Sequence, residues 1–264
     1  MTEARRRIRD ISHSGRRWIV TLLARRHADA VWRGRIAFFP DNGGRAPEVE
    51  DVLTFEALDF PELVAQAAAV SPDEILVVTG GDHGGGFMKL LGDGRRIGAR
   101  RLYYAYQDGE GGIADALARA EPFAANESIC VILGDNVFEC DFRTQVTRFE
   151  QNGHGARILL KQVPDPERFG VAEIRDDRVV RILEKPADPP SNYAVVGAYF
   201  YDNRVFDIIK ALRPSGRGEL EITDVNNQYL CRGELGYDMV TGWWADAGTP
   251  ESLLRVANLV AGRP

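Results

Sequence analysis

The stretch Val131-Ile132-Leu133-Gly134-Asp135-Asn136 is an apolar run that ends on a glycine and a single carboxylate. This pattern predicts a buried parallel strand that delivers Asp135 to the carboxyl edge of a sheet. Ligands of open α/β sheets bind beyond those strand ends, where a carboxylate can hold a hard metal ion against a phosphate. The alternative is an ordinary strand followed by an aspartate turn, and the stretch alone does not separate the two.

Patterns typical of strands and helices alternate before this stretch. They predict strands at 36–39, 74–79 and 102–106 and helices at 61–70, 84–91 and 112–120. Such alternation indicates an α/β fold with a mostly parallel mixed sheet flanked by helices.

The composition limits the class of protein. A chain of 264 residues, 44% hydrophobic and 27% charged, can bury one sizeable core. The net charge of −6 offers nucleic acid no broad attraction. No apolar run has the length needed to span a membrane, and the three isolated cysteines are typical of reduced thiols. We therefore expect a cytoplasmic protein with no nucleic-acid partner and no membrane span.

Further motifs follow Asp135 in a recognisable order. They are Arg168-Phe169-Gly170-Val171-Ala172-Glu173, Leu183-Glu184-Lys185-Pro186, the stretch from Ser191 to Asp202, the stretch from Arg217 to Asn226, and Trp243-Trp244-Ala245-Asp246-Ala247-Gly248-Thr249. Through these motifs the chain, from about Asp73 to about Leu259, resembles the sugar-1-phosphate nucleotidyltransferases, and within them the glucose-1-phosphate thymidylyltransferases.

The resemblance implies a Rossmann-like nucleotidyltransferase fold with a sugar-binding lobe. Residues 1–34 would form a basic N-terminal extension and residues 35–264 a single domain. Within that domain, 35–150 would be the nucleotide-binding half and 151–264 the sugar-binding half. A homo-oligomer is compatible with the resemblance.

The reaction that the resemblance implies is attack by a sugar-1-phosphate oxygen on the α-phosphorus of a nucleoside triphosphate, with dTTP favoured. The products would be a dTDP-sugar and pyrophosphate. Asp135 and Asp246 match the metal-holding pair of this family. Oxygen ligands from two separate loops suit Mg²⁺, which keeps water and substrate phosphates in its other positions.

The loop from Tyr106 to Ala114 corresponds to the base-reading loop of the family. Gln107 would pair with the edge of a pyrimidine, because an amide offers both a donor and an acceptor. Gly112 would let the backbone approach the ring.

The sugar-1-phosphate contacts of the family fall on other positions. Glu184 would accept hydrogen bonds from sugar hydroxyls, and Lys185 would face the phosphate. Gly170 and Val195 match backbone positions of the sugar pocket, and Arg217 matches an arginine that contacts phosphate.

Arginines surround a short apolar patch, 18–24, near the N-terminus, and they return too soon for a secretory signal. Two helical interpretations are open. One is a basic amphipathic helix that binds an anionic surface or partner, and the other is a solvated helix that packs Trp18, Leu22 and Leu23 on the protein body.

The chain departs from the family in the triphosphate loop, which in the family is GGxGTRLxP followed by a lysine. The best match is the segment 36–47, in which Arg45 is the candidate catalytic arginine. Pro40 and Asp41 stand where paired glycines are expected, so one amide donor is lost and a negative charge is added. Residues 46–72 contain no lysine or arginine.

Three alternatives follow from this departure. The chain is an active transferase with a remodelled triphosphate loop, or a weak or inactive relative that binds sugar nucleotides or regulates an active one. The third is an N-terminal sequence that arises from a shifted reading frame or a misassigned start.

Overall fold

A computed structural model describes the chain at residues 17–26, 32–41, 74–80, 84–95, 101–140, 142–248 and 250–260. The strands are β1 Arg17–Arg26, β2 Trp32–Asp41, β3 Glu74–Gly80, β4 Arg101–Gln107, β5 Ile129–Leu133, β6 Asn136–Phe138, β7 Ala156–Gln162, β8 Gly170–Arg175, β9 Arg178–Glu184, β10 Tyr193–Tyr201, β11 Leu235–Met239 and β12 Trp244–Asp246. The helices are α1 Gly84–Leu91, α2 Ile113–Ala118, α3 Glu121–Ala124, α4 Arg143–Asn152, α5 Val205–Ala211, α6 Ile222–Cys231 and α7 Pro250–Val260, with a short 3₁₀ helix at Pro166–Arg168.

Most of these strands form one sheet in the order β11-β7-β10-β5-β2-β1-β3-β4, with β8 and β9 attached through β10. Among the described strands the pairs β3–β4, β7–β11 and β2–β5 are parallel, and the other pairs in this sheet are antiparallel. The predicted α/β fold with a mixed sheet and helices is confirmed. The sheet has fewer parallel strand pairs than the alternation of strands and helices suggests, because β10 is antiparallel to both β5 and β7.

The central strand β5 is buried on both faces. Ile129, Val131 and Leu133 belong to one apolar cluster, whereas Cys130 and Ile132 belong to another. Successive side chains of a strand point to opposite faces, so β5 lies between two separate packed layers. The continuous apolar run before Asp135 is therefore explained by burial on two sides.

Strands predicted at 36–39, 74–79 and 102–106 and helices predicted at 84–91 and 112–120 are present as β2, β3, β4, α1 and α2. The helix predicted at 61–70 lies outside the described residues. No helix in the described part of the chain has both the length and the apolar character needed to cross a membrane.

The helix expected around Trp18, Leu22 and Leu23 is wrong. Arg17–Arg26 is strand β1, which pairs along its whole length with β2 and also contacts β3 and β5. Periodicity does not distinguish a strand from a helix in so short an apolar run, and the β-branched residues at 19–21 favour the strand.

Candidate active site

Strands β3, β4 and β5 end at one edge of the sheet. The pair β3–β4 is parallel, and β1 is antiparallel to both β3 and β5, so all three strands run in the same direction. Gln107 is the last residue of β4, and Asp135 follows the end of β5 by two residues. The two predicted site residues therefore share the carboxyl edge at which ligands of α/β sheets bind.

A second, two-stranded sheet brings Asp246 to Asp135. Strand β12 pairs with β6 so that Asp246 lies opposite Asn136, and the Ala247 N–H donates to the Asp135 carbonyl oxygen at 2.5 Å. A Cβ on Gly248 would lie 2.8 Å from Asp246 Oδ1 and 3.2 Å from Asp135 Oδ2. Oxygens of both carboxylates therefore meet in the space that Gly248 leaves open.

The chemistry of this pair fits a hard divalent cation. Both side chains are half-buried, and each supplies a carboxylate oxygen from a different part of the chain. In the part of the chain that the structure describes, no group of three or more acidic, histidine or cysteine side chains forms a fuller metal cage. Such a partial set suits Mg²⁺, which retains water and phosphate ligands.

Asn136 fixes the position of the Asp135 carboxylate. Its Nδ2 donates to Asp135 Oδ1 at 2.6 Å, and its Oδ1 accepts from the Gly197 N–H and from Trp244 Nε1, both at 2.8 Å. A Cβ on Gly197 would lie 2.7 Å from the Asn136 side chain, so only glycine permits this approach of β10. The buried amide thus joins β10, β12 and the predicted metal ligand.

Asn136→Ala should lower the free energy of unfolding by about 2–6 kcal/mol, because two buried N–H donors lose their acceptor and each loss costs about 1–3 kcal/mol. Urea unfolding followed by circular dichroism measures the change. Asn152→Ala is the matched control, since Asn152 is exposed at the end of α4 and its replacement should change the free energy by less than about 0.5 kcal/mol. Equal losses in the two variants contradict the role of Asn136.

The predicted base-reading loop is closed by its own hydrogen bonds. Gln107 is buried, and its Nε2 donates to the Gly112 carbonyl oxygen at 3.1 Å and to Asp115 Oδ2 at 2.7 Å. Gly112 has a φ of 87°, and a Cβ there would lie 2.7 Å from the Leu220 carbonyl oxygen. Glycine is required at this position for both reasons.

The same loop is joined to the segment that carries Arg217. The Leu220 N–H donates to the Gly111 carbonyl oxygen at 2.8 Å, and the Ala114 N–H donates to the Leu220 carbonyl oxygen at 3.1 Å. Two backbone hydrogen bonds therefore join the predicted base-reading loop to the segment that carries Arg217.

Three predicted sugar-side residues form a row across adjacent strands. Gly170 on β8 pairs with Val195 on β10 and with Glu184 on β9. A Cβ on Gly170 would lie 3.5 Å from Glu184 Oε2 and 3.2 Å from Thr223 Oγ1, so glycine leaves the Glu184 carboxylate accessible from this side. Thr223 Oγ1 donates to Glu184 Oε2 at 2.5 Å and fixes its orientation.

Arg217 faces a group of carboxylates. Its guanidinium lies 2.8 Å from Glu221 and 3.5 Å from both Glu184 and Glu219. Partial burial lowers the pKa of Arg217, but the hydrogen bond to Glu221 and the charges of the three glutamates outweigh it and raise the pKa. The guanidinium therefore stays charged. Lys185 is exposed beside Glu184, with a φ of 41°, and its N–H donates to the Phe169 carbonyl oxygen at 3.0 Å.

The sugar-side row and the carboxylate pair are neighbours. Tyr199 on β10 is buried, and its pKa is raised first by burial and then by the negative charges of Glu184 and Asp135. Hydrogen bonds show the same proximity, because Gly197, two residues after Val195 on β10, donates its N–H to Asn136, which donates to Asp135 Oδ1. Gln107 and Gly112 lie together in one loop, and this loop is hydrogen-bonded to the segment that carries Arg217. Asp135 and Asp246 lie beside the sugar-side row of Gly170, Glu184 and Val195.

Arg45 lies outside the described residues. Pro40 and Asp41 are the last two residues of β2 and pair with Trp18 and Arg17 of β1. They continue a strand at the positions where the resemblance implies paired glycines.

The sequence interpretation gave no role to Asn136, Asp115, Thr223 or Glu221, which hold the predicted site residues in place. Each lies inside or beside a motif that the resemblance uses. Their contacts join distant segments, so no local pattern reveals them.

Known proteins resemble this chain over most of its length. The family model described as nucleotidyl transferase matches residues 60–262. The glucose-1-phosphate thymidylyltransferase of Neisseria meningitidis serogroup A is 39% identical over 226 residues, which cover 84% of this chain and 77% of that protein. A crystal structure of a proposed glucose-1-phosphate thymidylyltransferase from Bacillus anthracis, in complex with a sucrose, is 47% identical with a TM-score of 0.72 and covers 78% of this chain and 82% of that one.

A UDP-glucose pyrophosphorylase complexed with UDP-glucose has a TM-score of 0.66 and covers 77% of this chain and 86% of that one. At 22% identity it shows a shared fold.

Proposed function

Because the chain belongs to the nucleotidyl transferase family, we propose that it joins a sugar-1-phosphate to a nucleoside triphosphate, with dTTP favoured, to give a dTDP-sugar and pyrophosphate. The observation that carries this proposal is that carboxylate oxygens of Asp135 and Asp246 border the same space at Gly248. This space lies beside the row of Gly170, Glu184 and Val195. A site for a phosphate-bound cation next to a site for sugar hydroxyls is what such a transfer needs.

The chain positions the reactants in this proposal. Gln107 and Gly112 hold the base, Glu184 accepts from sugar hydroxyls, and the backbone at Gly170 and Val195 borders the sugar. Asp135 and Asp246 would hold Mg²⁺, which neutralises charge on the phosphates when bound. An oxygen of the sugar phosphate then attacks the α-phosphorus, the bond from that phosphorus to the β-phosphate oxygen breaks, and pyrophosphate leaves.

Lys185 and Arg217 would supply positive charge to the sugar phosphate. Arg217 has two longer contacts, to Glu184 and Glu219, that a phosphate oxygen can replace, while the 2.8 Å contact to Glu221 keeps the guanidinium in place. Cys130, Cys140 and Cys231 carry free thiols, which supports the proposed cytoplasmic location.

Transfer is tested by following carbon-14 from glucose-1-phosphate into a nucleotide sugar in the presence of Mg²⁺ and dTTP. Label that appears in dTDP-glucose supports the proposal. Its absence at high protein concentration, with an active relative as positive control, argues against transfer.

A second candidate function is a sugar-nucleotide binder with weak or no turnover. The observation that favours it is the pairing of Pro40 and Asp41 within β2, where a glycine-rich loop would wrap the triphosphate. The base and sugar positions lie in other parts of the chain and are independent of that segment.

In either case we expect the protein to bind dTDP-glucose more tightly than dTTP. The sugar nucleotide uses the base loop and the sugar-side row, whereas dTTP needs the altered triphosphate loop. Calorimetric titration of both ligands with Mg²⁺ measures the two dissociation constants. Equal or tighter binding of dTTP contradicts this expectation.

A further inference from the structure

The side-chain amide of Gln107 has a fixed orientation. Nitrogen Nε2 donates to the Gly112 carbonyl oxygen at 3.1 Å and to Asp115 Oδ2 at 2.7 Å, so both amide hydrogens are used. A carbonyl and a carboxylate can only accept hydrogen bonds. If the amide group were rotated by 180°, Oε1 would lie against two acceptors. The nitrogen must therefore face Asp115 and Gly112.

Asp115 is itself held in place. It lies in the first turn of α2, and its Oδ1 accepts from Arg119 one helical turn later at 2.7 Å. A Cβ on Gly111 would lie 2.7 Å from Asp115 Oδ2, so the loop backbone also confines the carboxylate. The carboxylate forms an ion pair with Arg119, and a carboxylate can only accept a hydrogen bond from Gln107.

The remaining atom of the amide, Oε1, is an acceptor. Across the described part of the chain, no group donates a hydrogen bond to it. A base that pairs with Gln107 in this orientation must therefore present an N–H. Thymine and uracil present a ring N3–H, whereas the N3 of cytosine is an acceptor.

We propose that Asp115 is a positioning residue that sets base specificity, because it orients Gln107 to accept from a base with a ring N–H. This inference deepens the proposed function, since it rests on Gln107 as the base reader. Cytosine is rejected because its N3 and the Gln107 oxygen would be two acceptors without a proton between them. The contact does not separate thymine from uracil.

UDP-glucose and CDP-glucose test the proposal, because they differ only at the base edge. Calorimetry with Mg²⁺ should give a preference for UDP-glucose of about tenfold or more in the native protein, the range expected when buried polar groups are left unpaired. In Asp115→Asn only the Gly112 carbonyl still requires the nitrogen on this side, because the new amide can donate to Gln107 Oε1 and so favours the rotated orientation. The preference should then fall by about tenfold, mainly through tighter binding of CDP-glucose.

Asp207→Asn is the matched control, because Asp207 also lies in the first turn of a helix, α5, and is exposed. It should keep the native preference. An unchanged preference in Asp115→Asn, with UDP-glucose still bound, overturns the role of Asp115 and leaves the proposed function standing. Failure of the native protein to bind either sugar nucleotide or dTDP-glucose overturns the proposed function and the base reading together. If Asp115 had only a structural role, Asp115→Asn would weaken the binding of UDP-glucose and CDP-glucose by the same factor. This result also contradicts the proposal.

Discussion

Asp135→Asn should reduce pyrophosphate release from dTTP and glucose-1-phosphate by about 10²–10³-fold, the loss typical when one preorganised charge-stabilising group is removed. Asparagine keeps an oxygen that accepts from Asn136 Nδ2, so the local hydrogen bond of 2.6 Å survives. The variant loses the negative charge that faces Asp246 across Gly248. Initial rates over a range of Mg²⁺ concentrations measure the effect, and added Mg²⁺ should restore part of it.

Asp176→Asn is the control for this variant. Asp176 is exposed in the turn between β8 and β9, at the opposite end of the hairpin from Gly170, and its positive φ of 49° is also tolerated by asparagine. It should retain native activity. If Asp135→Asn keeps native rates and a native Mg²⁺ dependence, Asp135 is a structural turn residue and the metal assignment is wrong.

Gly112→Ala should raise the KM for dTTP by about tenfold or more and lower the free energy of unfolding by about 2–6 kcal/mol. The backbone at Gly112, with φ 87° and ψ 176°, lies in a region adopted essentially only by glycine, which costs another residue about 1–3 kcal/mol, and overpacking costs about 1–3 kcal/mol more. Because the new Cβ would lie 2.7 Å from the Leu220 carbonyl oxygen, the loop must move away from the segment that carries Arg217. Steady-state kinetics and urea unfolding measure the two effects.

Gly109→Ala separates the two causes. Gly109 also has a positive φ, 72°, but a Cβ there meets nothing within 4 Å. It should therefore show the backbone cost of about 1–2 kcal/mol with little change in KM. Equal changes in KM for the two variants contradict a fixed base-reading loop at Gly112.

Much of the central fold could be predicted from the sequence, because β5 is buried on both faces and its apolar run is unbroken. The direction of β10 could not, since an antiparallel and a parallel central strand have the same composition. The structure of the N-terminal patch could not be predicted either, because a seven-residue apolar run has no decisive period and the pairing of β1 with β2 decides its structure.

The candidate site shows the same division. Asp135, Glu184 and Gln107 could be proposed from the sequence, because each lies in a motif of fixed order. Asn136 and Asp115 could not, since their roles depend on contacts with β10, β12 and the end of β4. Motifs identify groups that would touch a ligand, whereas the residues that orient those groups depend on tertiary geometry.

The most direct test of the proposed transfer is pyrophosphate release by the purified protein with Mg²⁺, glucose-1-phosphate and each nucleoside triphosphate in turn. We predict release that requires both substrates, is fastest with dTTP, and falls below the ordinary enzyme range of about 1–10³ per second, because Pro40 and Asp41 stand where the resemblance implies paired glycines. The same reaction without glucose-1-phosphate provides the background rate. If no triphosphate gives release above that background and the protein still binds dTDP-glucose, transfer is contradicted. The protein is then a sugar-nucleotide binder.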